Sequence, residues 1–198
     1  MKKHFLAVAA LLLSGAVFAA EPTGESAKME VETQIARLTQ DLNNNKATYD
    51  ANPAAFHEFI SREIAPQLDF VKMSEIALGK HLKSVKDSGK FDAFTTAFRE
   101  LLIRVYSKGW QNYAGASVRV LNVPSVDKYQ RAQVRAQVSG SNANANVIIA
   151  VYFKNGAWKV YDATFENVSL MTSYRNTFDT ELQQGSVDQL IAKMRTMQ

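Results

Sequence analysis

The chain of 198 residues contains no cysteine and only three histidines. Without cysteine it can form no disulfide bond, and it has no thiolate to act as a nucleophile or metal ligand. His57 and His81 lie on separate predicted helices and lack the HxxxH or HxxE spacing of metal sites, so we expect no metal. The GxSxG motif of serine hydrolases and a glycine-rich phosphate loop are also absent. Little in the sequence resembles an active site.

The chain also lacks a strong charge of either sign. Its formal net charge is +4, and removing Lys2 and Lys3 from the N-terminal segment leaves about +2. There is no dense cluster of basic residues and no RNA-binding motif, so nucleic acid is not an expected partner.

The first 20 residues are typical of a secretory signal peptide. Lys2 and Lys3 precede an apolar run from Phe5 to Leu13, and small residues follow it. We expect cleavage after Ala19, which makes residues 1–19 the signal peptide and residues 20–198 the exported domain. No cysteine follows the small residues, so lipoprotein processing is not expected, and the predicted location is the bacterial periplasm.

The first half of the exported domain shows helical spacing of apolar residues. Helices are predicted over residues 27–48, from Asn52-Pro53 to Ile64, from Asp69 to Gly79, and from Ser88 through Tyr106. Pro66 is expected to end the second helix, and Gly79 to end the third.

After Gly115 the apolar pattern changes to alternation, which predicts four strands over 117–123, 130–138, 145–153 and 157–165. Asn155-Gly156 is a strong signal for a hairpin between the last two strands. Helices are then predicted after Ser169 and after Ser186. We therefore expect one α+β domain in which a mostly antiparallel sheet has one covered and one wet face.

Apolar and aromatic residues are abundant on the covered faces, but this abundance has two interpretations. They can form a packed core of ordinary density or line a cavity, and composition alone does not separate the two. Asp162 lies within an apolar strand and also has two interpretations. It can be an acid or base with a shifted pKa. We favour the other interpretation, in which it caps a nearby helix or forms an ion pair with an arginine such as Arg175.

Two segments resemble signatures of the MlaC family, periplasmic phospholipid-binding proteins also called toluene-tolerance auxiliary proteins. The first is "ALGKHLKSVKDSGKFDAFTTAFRELLIRVYSKGW", and the second, "WKVYDATFENVSLMTSYRNTF", joins a strand to a helix. "GSVDQLI", residues 185–191, resembles the closing motif of the family. Asn167 departs from the pattern, because members usually carry glycine there.

The resemblance implies a phospholipid carrier with a highly twisted sheet and helices around a hydrophobic cavity. Its cargo would be a diacyl phospholipid, with no cofactor and no enzymatic activity. Its partners would be an inner-membrane ABC transporter with an MCE subunit and an outer-membrane lipoprotein–porin complex, and we expect a monomer. Two rivals stay open: an enzyme acting on a hydrophobic small molecule, and an adaptor or chaperone with an apolar groove.

We assign candidate residues to three groups. The cavity group contains Phe94, Phe98, Val118, Val120, Val134, Ala136, Val138, Val147, Ile149, Val151, Trp158 and Val160. The corner group, which joins the last strand to the next helix, contains Asp162, Ser169, Tyr174 and Arg175. The docking group, in the densest basic stretch, contains Lys80, Lys83 and Lys86, although that stretch can equally be a solvated turn.

Overall fold

A computed structural model describes residues 22–107, 115–140 and 144–197, and the predicted signal peptide lies outside these ranges. The helices are α1 (Gly24–Ala51), α2 (Pro53–Phe59), α3 (Phe70–Leu78), α4 (Leu82–Asp87), α5 (Phe91–Tyr106), α6 (Leu170–Gln184) and α7 (Val187–Met194). The strands are β1 (Ser117–Val120), β2 (Arg131–Ser139), β3 (Asn144–Lys154), β4 (Ala157–Phe165) and β5 (Val168–Ser169). None of the helices within these ranges is long and apolar enough to cross a membrane.

The helix ends follow local capping chemistry. Thr23 and Ser26 form a reciprocal capping box at the start of α1, and Pro53 occupies the first turn of α2. Asp69 caps α3 by accepting a hydrogen bond from the N–H of Lys72, and Gly79 ends that helix with a φ of +50°. The ends at Pro53, Asp69 and Gly79 agree with the sequence patterns, whereas α1 extends three residues beyond its predicted range of 27–48 at each end.

One predicted helix start is wrong. The helix expected from Ser88 begins at Phe91, and a separate short helix, α4, ends at Asp87. Gly89 lies between them with a φ of +70°, a left-handed conformation that breaks the helical path. Val85 of α4 is buried, so this short helix contributes to the core.

The five strands form one antiparallel sheet in the order β1-β2-β3-β4-β5. Asn155-Gly156 turns β3 into β4 as predicted. A fifth strand of two residues was not predicted, and a tight turn at Glu166 and Asn167 leads into it. Both turn residues have positive φ, so Asn167 keeps the left-handed conformation for which a glycine would be favoured.

One face of the sheet is covered, as alternation in β2 predicts. Ala132, Val134 and Ala136 are buried, whereas Gln133 and Arg135 between them are exposed. Val134 lies opposite Ile149, and Ala136 opposite Val147, so Val147 and Ile149 of β3 point to the covered face. Helix α1 packs over this face near Val134 and Trp158. Helices α3 to α7 form a second core around α5 and α6. Phe56 and Phe59 of α2 pack against Leu42 and Tyr49 of α1 in a third cluster.

Candidate functional site

An apolar cavity of about 320 Å³ lies where α1, α2, α3 and α5 meet strand β4. We call it the larger cavity. Its wall is almost entirely aliphatic and aromatic, with Asp162 as the one acid in the lining. It is lined by Leu38, Leu42, Phe56, Ile60, Ile64, Leu68, Phe70, Met73, Leu102, Ile103, Tyr106, Val160, Asp162, Ala163, Phe165 and Leu170.

A second apolar cavity of about 200 Å³ lies between α1 and strands β1 to β4. We call it the smaller cavity. It is lined by Ile35, Leu38, Thr39, Leu42, Asn43, Gly115, Ala116, Val118, Ala136, Val138, Val147, Ile149 and Phe165. The wall from the sheet combines small and branched residues, so there is room opposite the long side chains of α1.

The two cavities are neighbours that share part of their walls. Leu38 and Leu42 of α1 and Phe165 at the end of β4 line both of them. Phe165 is 41% exposed despite its large apolar ring, so it stands at the surface as well as between the cavities. The pair therefore forms one apolar region divided by three side chains.

Open grooves adjoin each end of this region. A groove of about 740 Å³ runs between α1 and β1 beside the smaller cavity, and we call it the α1–β1 groove. A rim groove of about 300 Å³ lies beside the larger cavity, between the β4–β5 turn and α6. The rim groove is lined by Tyr106, Phe165, Val168, Leu170, Ser173, Tyr174 and Thr177.

The structure distributes the cavity group of the sequence analysis over several environments. Val118, Ala136, Val138, Val147 and Ile149 line the smaller cavity, and Val160 lines the larger one. Val120 lines the α1–β1 groove. Val134, Val151 and Trp158 lie in the packed cluster between the sheet and α1.

Phe94 and Phe98 occupy a different environment from the rest of that group. Both are fully buried in the helical core and line neither cavity. Phe98 lies 5.2 Å from Phe178 and 5.0 Å from Tyr174, ring centre to ring centre, in edge-to-face contacts. Their position supports the packing of α5 against α6.

Sequence reasoning left the helical half of the wall out of the cavity group. Leu38, Leu42, Phe56 and Ile60 lie within the predicted helices, but nothing in their spacing distinguishes a cavity wall from a core. What identifies them as cavity residues is that α1 lies close to the covered face of the sheet, and this is visible only in the tertiary structure.

The corner group is held together by hydrogen bonds around Asp162. Its carboxylate accepts from the hydroxyl of Ser169 at 2.6 Å and from the N–H of Met171 at 3.0 Å. Ser169 in turn accepts from the N–H of Thr172 at 3.0 Å and so caps α6. The carboxylate of Asp162 and the hydroxyl of Ser169 thus accept from N–H groups that a helix start leaves without partners.

The other two corner residues contact the helical layer. Arg175 donates to the carbonyl of Ile76 at 2.8 Å, so its side chain ties α6 to α3 and leaves Asp162 to the α6 cap. Burial raises the pKa of Tyr174, which therefore stays neutral and packs as an aromatic ring beside Phe98.

A polar cluster around Asp69 lies beside the larger cavity. Asp69 accepts from the ammonium of Lys154 at 2.8 Å, and also from the hydroxyl of Tyr152 and the N–H of Lys72. Burial acts to raise the pKa of Asp69, but these hydrogen bonds outweigh it and lower the pKa below 3.8. The neighbours Leu68 and Phe70, which line the cavity, are thereby held in place.

The docking group is exposed, but each lysine has an acidic partner. Lys80 lies 2.7 Å from Asp179. Lys83 pairs with Asp87 at 2.5 Å, and Lys86 pairs with Glu75 at 2.8 Å. The local positive charge is therefore largely balanced.

No group of three or more metal-binding side chains is found in residues 22–107, 115–140 and 144–197. The cavity walls offer hydrophobic contact, and their one carboxylate is engaged with the start of α6. Such a site suits a long apolar molecule.

Comparisons with known proteins agree with this description. The chain is 22% identical to the intermembrane phospholipid transport system binding protein MlaC of Haemophilus influenzae, over 80% of this chain and 76% of that protein. It is 26% identical to the toluene tolerance protein ttg2D of Pseudomonas putida, over 80% of this chain and 74% of that protein.

A solved structure shares the fold. It is a phospholipid-binding protein from Ralstonia solanacearum in complex with a phospholipid, with a TM-score of 0.76 and 21% identity, covering 86% of this chain and 96% of that one. The family described as MlaC protein matches residues 32–196, which is most of the chain and includes the whole sheet and every residue that lines the two cavities. The chain belongs to the MlaC family.

Proposed function

We propose that this protein binds phospholipid in the periplasm and carries it between membranes. The observation that carries the proposal is the divided apolar region between α1, the sheet and the helical layer, which is built from two adjoining cavities. Membership of the MlaC family supports it, as do the names of the two relatives and the lipid in the related structure.

The physical demand on such a carrier is large. Two acyl chains have about 30 methylenes, and exposing them to water would cost on the order of 20 kcal/mol at roughly 0.8 kcal/mol each. A carrier must therefore replace the apolar interior of the bilayer almost completely. Two cavities separated by Leu38, Leu42 and Phe165 suit two chains that diverge from one glycerol.

The direct test is mass spectrometry of organic extracts from protein purified without detergent. Co-purified diacyl phospholipid in a fixed ratio to protein is the expected result. A single metabolite of another class would favour an enzyme for hydrophobic small molecules, and no extractable lipid would favour an adaptor. Either result would contradict the carrier.

The acid in the cavity wall is consistent with carrying rather than catalysis. A general acid or base needs a second polar group that acts on the same substrate, and the lining of the larger cavity otherwise offers only the hydroxyl of Tyr106. Asp162 accepts hydrogen bonds from Ser169, Met171 and the N–H of Ala163, which hold its carboxylate at the start of α6. We assign Asp162 to the corner, where it caps α6.

The proposed partners are an inner-membrane ABC transporter with an MCE subunit and an outer-membrane lipoprotein–porin complex. A shuttle must release both, so its contacts should be small, polar and steered by charge. Lys83 and Lys86 are the proposed contact residues, and a partner carboxylate would compete with their exposed intramolecular ion pairs, which are individually weak.

The docking proposal has a specific test. Changing Lys83 and Lys86 to glutamate should slow lipid transfer to the transporter subunit while the lipid content of the purified protein stays the same. The defect should shrink as salt rises, because screening weakens attraction and repulsion alike. The matched control is the change of Lys46 to glutamate, because Lys46 also forms an i,i+4 ion pair but lies on α1. Unchanged transfer at low salt would place docking elsewhere.

A further inference from the structure

The uncovered face of the sheet is rich in basic residues. Residues 115–154 contain five lysines and arginines and one acid, Asp127. One of the five, Lys154, is engaged with Asp69 at 2.8 Å. The other four are Arg119 of β1, Arg131 and Arg135 of β2, and Lys128 in the turn before β2. This part of the sheet therefore has an excess of positive charge.

Strand alternation places the three arginines on one face. In β1, Val118 lines the smaller cavity, so Arg119 points to the opposite face of the sheet. In β2, Arg131 and Arg135 are exposed between buried neighbours. Arg119 lies opposite Gln137, which is two residues beyond Arg135, so the arginines form a row roughly 20 Å long.

Two exposed apolar side chains accompany this row. Leu121 is 47% exposed, and its N–H donates to the carbonyl of Arg135 at 2.8 Å, so alternation puts its side chain on the same face. Tyr129 is 62% exposed at the other end, where the cationic groups of Lys128 and Arg131 lie 5.0 and 4.9 Å from its ring centre. We call this surface the basic face, and define it by Arg119, Leu121, Lys128, Tyr129, Arg131 and Arg135.

Most cations of the basic face have no acidic partner. Arg131 pairs with Asp127 at 2.7 Å. The side chains of Arg119, Lys128 and Arg135 form no ion pair with any residue that the structure describes. In the docking group, by contrast, every lysine has an acidic partner. The basic face is therefore the stronger attractor for an extended anionic surface.

The basic face also has space for a phosphate group. Arg131 and Arg135 line one groove of about 410 Å³, together with the amide of Gln133 and the hydroxyl of Tyr161. Asp127 lies in the same lining, where Arg131 offsets its charge. Arginine, amide and hydroxyl groups all donate hydrogen bonds to phosphate oxygens, and those from arginine are the strongest.

The arrangement suits a membrane surface better than an acidic protein. A protein interface gathers its apolar side chains at the centre, whereas Leu121 and Tyr129 lie toward opposite ends of the row, each beside an arginine. Tyrosine is enriched at the membrane–water interface. Proteins that bind the surface of a bilayer combine such apolar contacts with attraction to anionic lipids.

We propose that the basic face docks on an anionic phospholipid bilayer. Arg119, Lys128 and Arg135 contact lipid phosphates there, and Leu121 and Tyr129 enter the interface. The smaller cavity lies on the other face of the sheet, so docking leaves it turned away from this bilayer. The inference goes beyond lipid carriage, because the basic face acts whether or not the cavities hold cargo.

The test is sedimentation of the purified protein with vesicles of phosphatidylcholine alone or with an equal part of phosphatidylglycerol. Wild-type protein should bind the anionic vesicles, and less so as salt rises. The double variant Arg119→Gln/Arg135→Gln should bind them about 25-fold more weakly, because each cation near an anionic membrane contributes about fivefold. Lys46→Gln/Lys193→Gln removes the same charge from two exposed lysines outside the basic face, and this matched control should bind as wild type does.

The remaining measurements separate this inference from the carrier function. Glutamine already occupies positions 133 and 137 of the same face, so the double variant should keep the Tm and the co-purified lipid of the wild type. Equal binding of wild type and double variant to anionic vesicles, or equal binding of wild type to both kinds of vesicle, would overturn the inference. So would a wild type that binds a polyglutamate peptide but no vesicles, since the basic face would then serve an acidic protein. A wild type that needs the basic face for vesicle binding, yet is purified without phospholipid, would support the inference and contradict the carrier.

Discussion

Filling the smaller cavity provides a sharp test of whether it holds cargo. Ala136 lies on β2, is 1% exposed and faces this cavity of about 200 Å³. In a packed core, Ala→Phe would cost about 1–3 kcal/mol through overpacking. In an open cavity the ring can enter the available space, and its burial is worth about 1.5–3 kcal/mol. We therefore expect delipidated Ala136→Phe to be at least as stable as the wild type.

Lipid binding should respond in the opposite direction. If the ring prevents four methylenes of the lipid from being buried, the free energy of lipid binding becomes about 3 kcal/mol less favourable, which is about a hundredfold in affinity. The variant should accordingly be purified with far less phospholipid, measured by mass spectrometry against an internal standard. Phenylalanine is chosen because its ring has no polar atom that would need a partner.

The matched control is Ala97→Phe. Ala97 is 4% exposed in the helical core and lines neither cavity. This variant should lose about 1–3 kcal/mol of stability, a fall in Tm of roughly 2–4 °C per kcal/mol, and keep its lipid when folded. Equal destabilisation of the Ala97 and Ala136 variants, or an Ala136→Phe protein with full lipid content, would refute a cargo-holding cavity at β2.

Three further predictions concern the corner, the α6 surface and the dividing ring. Ser169→Ala should lower the free energy of unfolding by about 1 kcal/mol in urea titration, because the N–H of Thr172 loses its acceptor, and an unchanged midpoint would contradict the cap. Hydrogen bonds from lysine and histidine lower the pKa of Asp179 from 3.8 to about 2. A folded-state pKa below the ordinary value stabilises the protein above pH 3.8, and that contribution is lost as the pH falls to about 2. Asp179→Asn should therefore show a smaller fall in Tm across this window, and an identical pH profile would argue against the effect. Phe165→Ala should join the cavities and speed the transfer of fluorescent lipid to acceptor vesicles, whereas an unchanged rate would show that the ring is no barrier.

Much of the fold could be predicted because its signals are local. Alternation of alanine and valine with arginine and glutamine in β2 identifies the covered face, and Asn155-Gly156 fixes the β3–β4 register. Asp69 and Gly79 mark helix ends by capping chemistry. The split between α4 and α5 and the two-residue β5 escaped prediction, because short elements have too few residues to show a period.

The cavity could be predicted only in part, and the reason is physical. Phe94 and Phe56 have the same chemistry and both lie on apolar helix faces. The first is packed against Phe178 at 5.4 Å between ring centres, and the second lines the larger cavity. The difference between the two positions is how closely the neighbouring helices and strands approach, and this depends on how α1 crosses the sheet. Periodicity specifies a face and carries no information on the space in front of it.

The strand-to-helix corner explains how one wall can be both rigid and apolar. A helix start that faces a lipid tail would expose N–H groups without partners, and leaving such a group unsatisfied costs about 1–3 kcal/mol. Asp162 and Ser169 accept from the N–H groups of Met171 and Thr172, so α6 can begin directly beside the larger cavity. The carboxylate is itself hydrogen-bonded by these donors, and its neighbours in the cavity wall, Ala163, Phe165 and Leu170, are apolar. An abrupt change from strand to helix with polar residues at the junction is therefore what an apolar wall requires at this position.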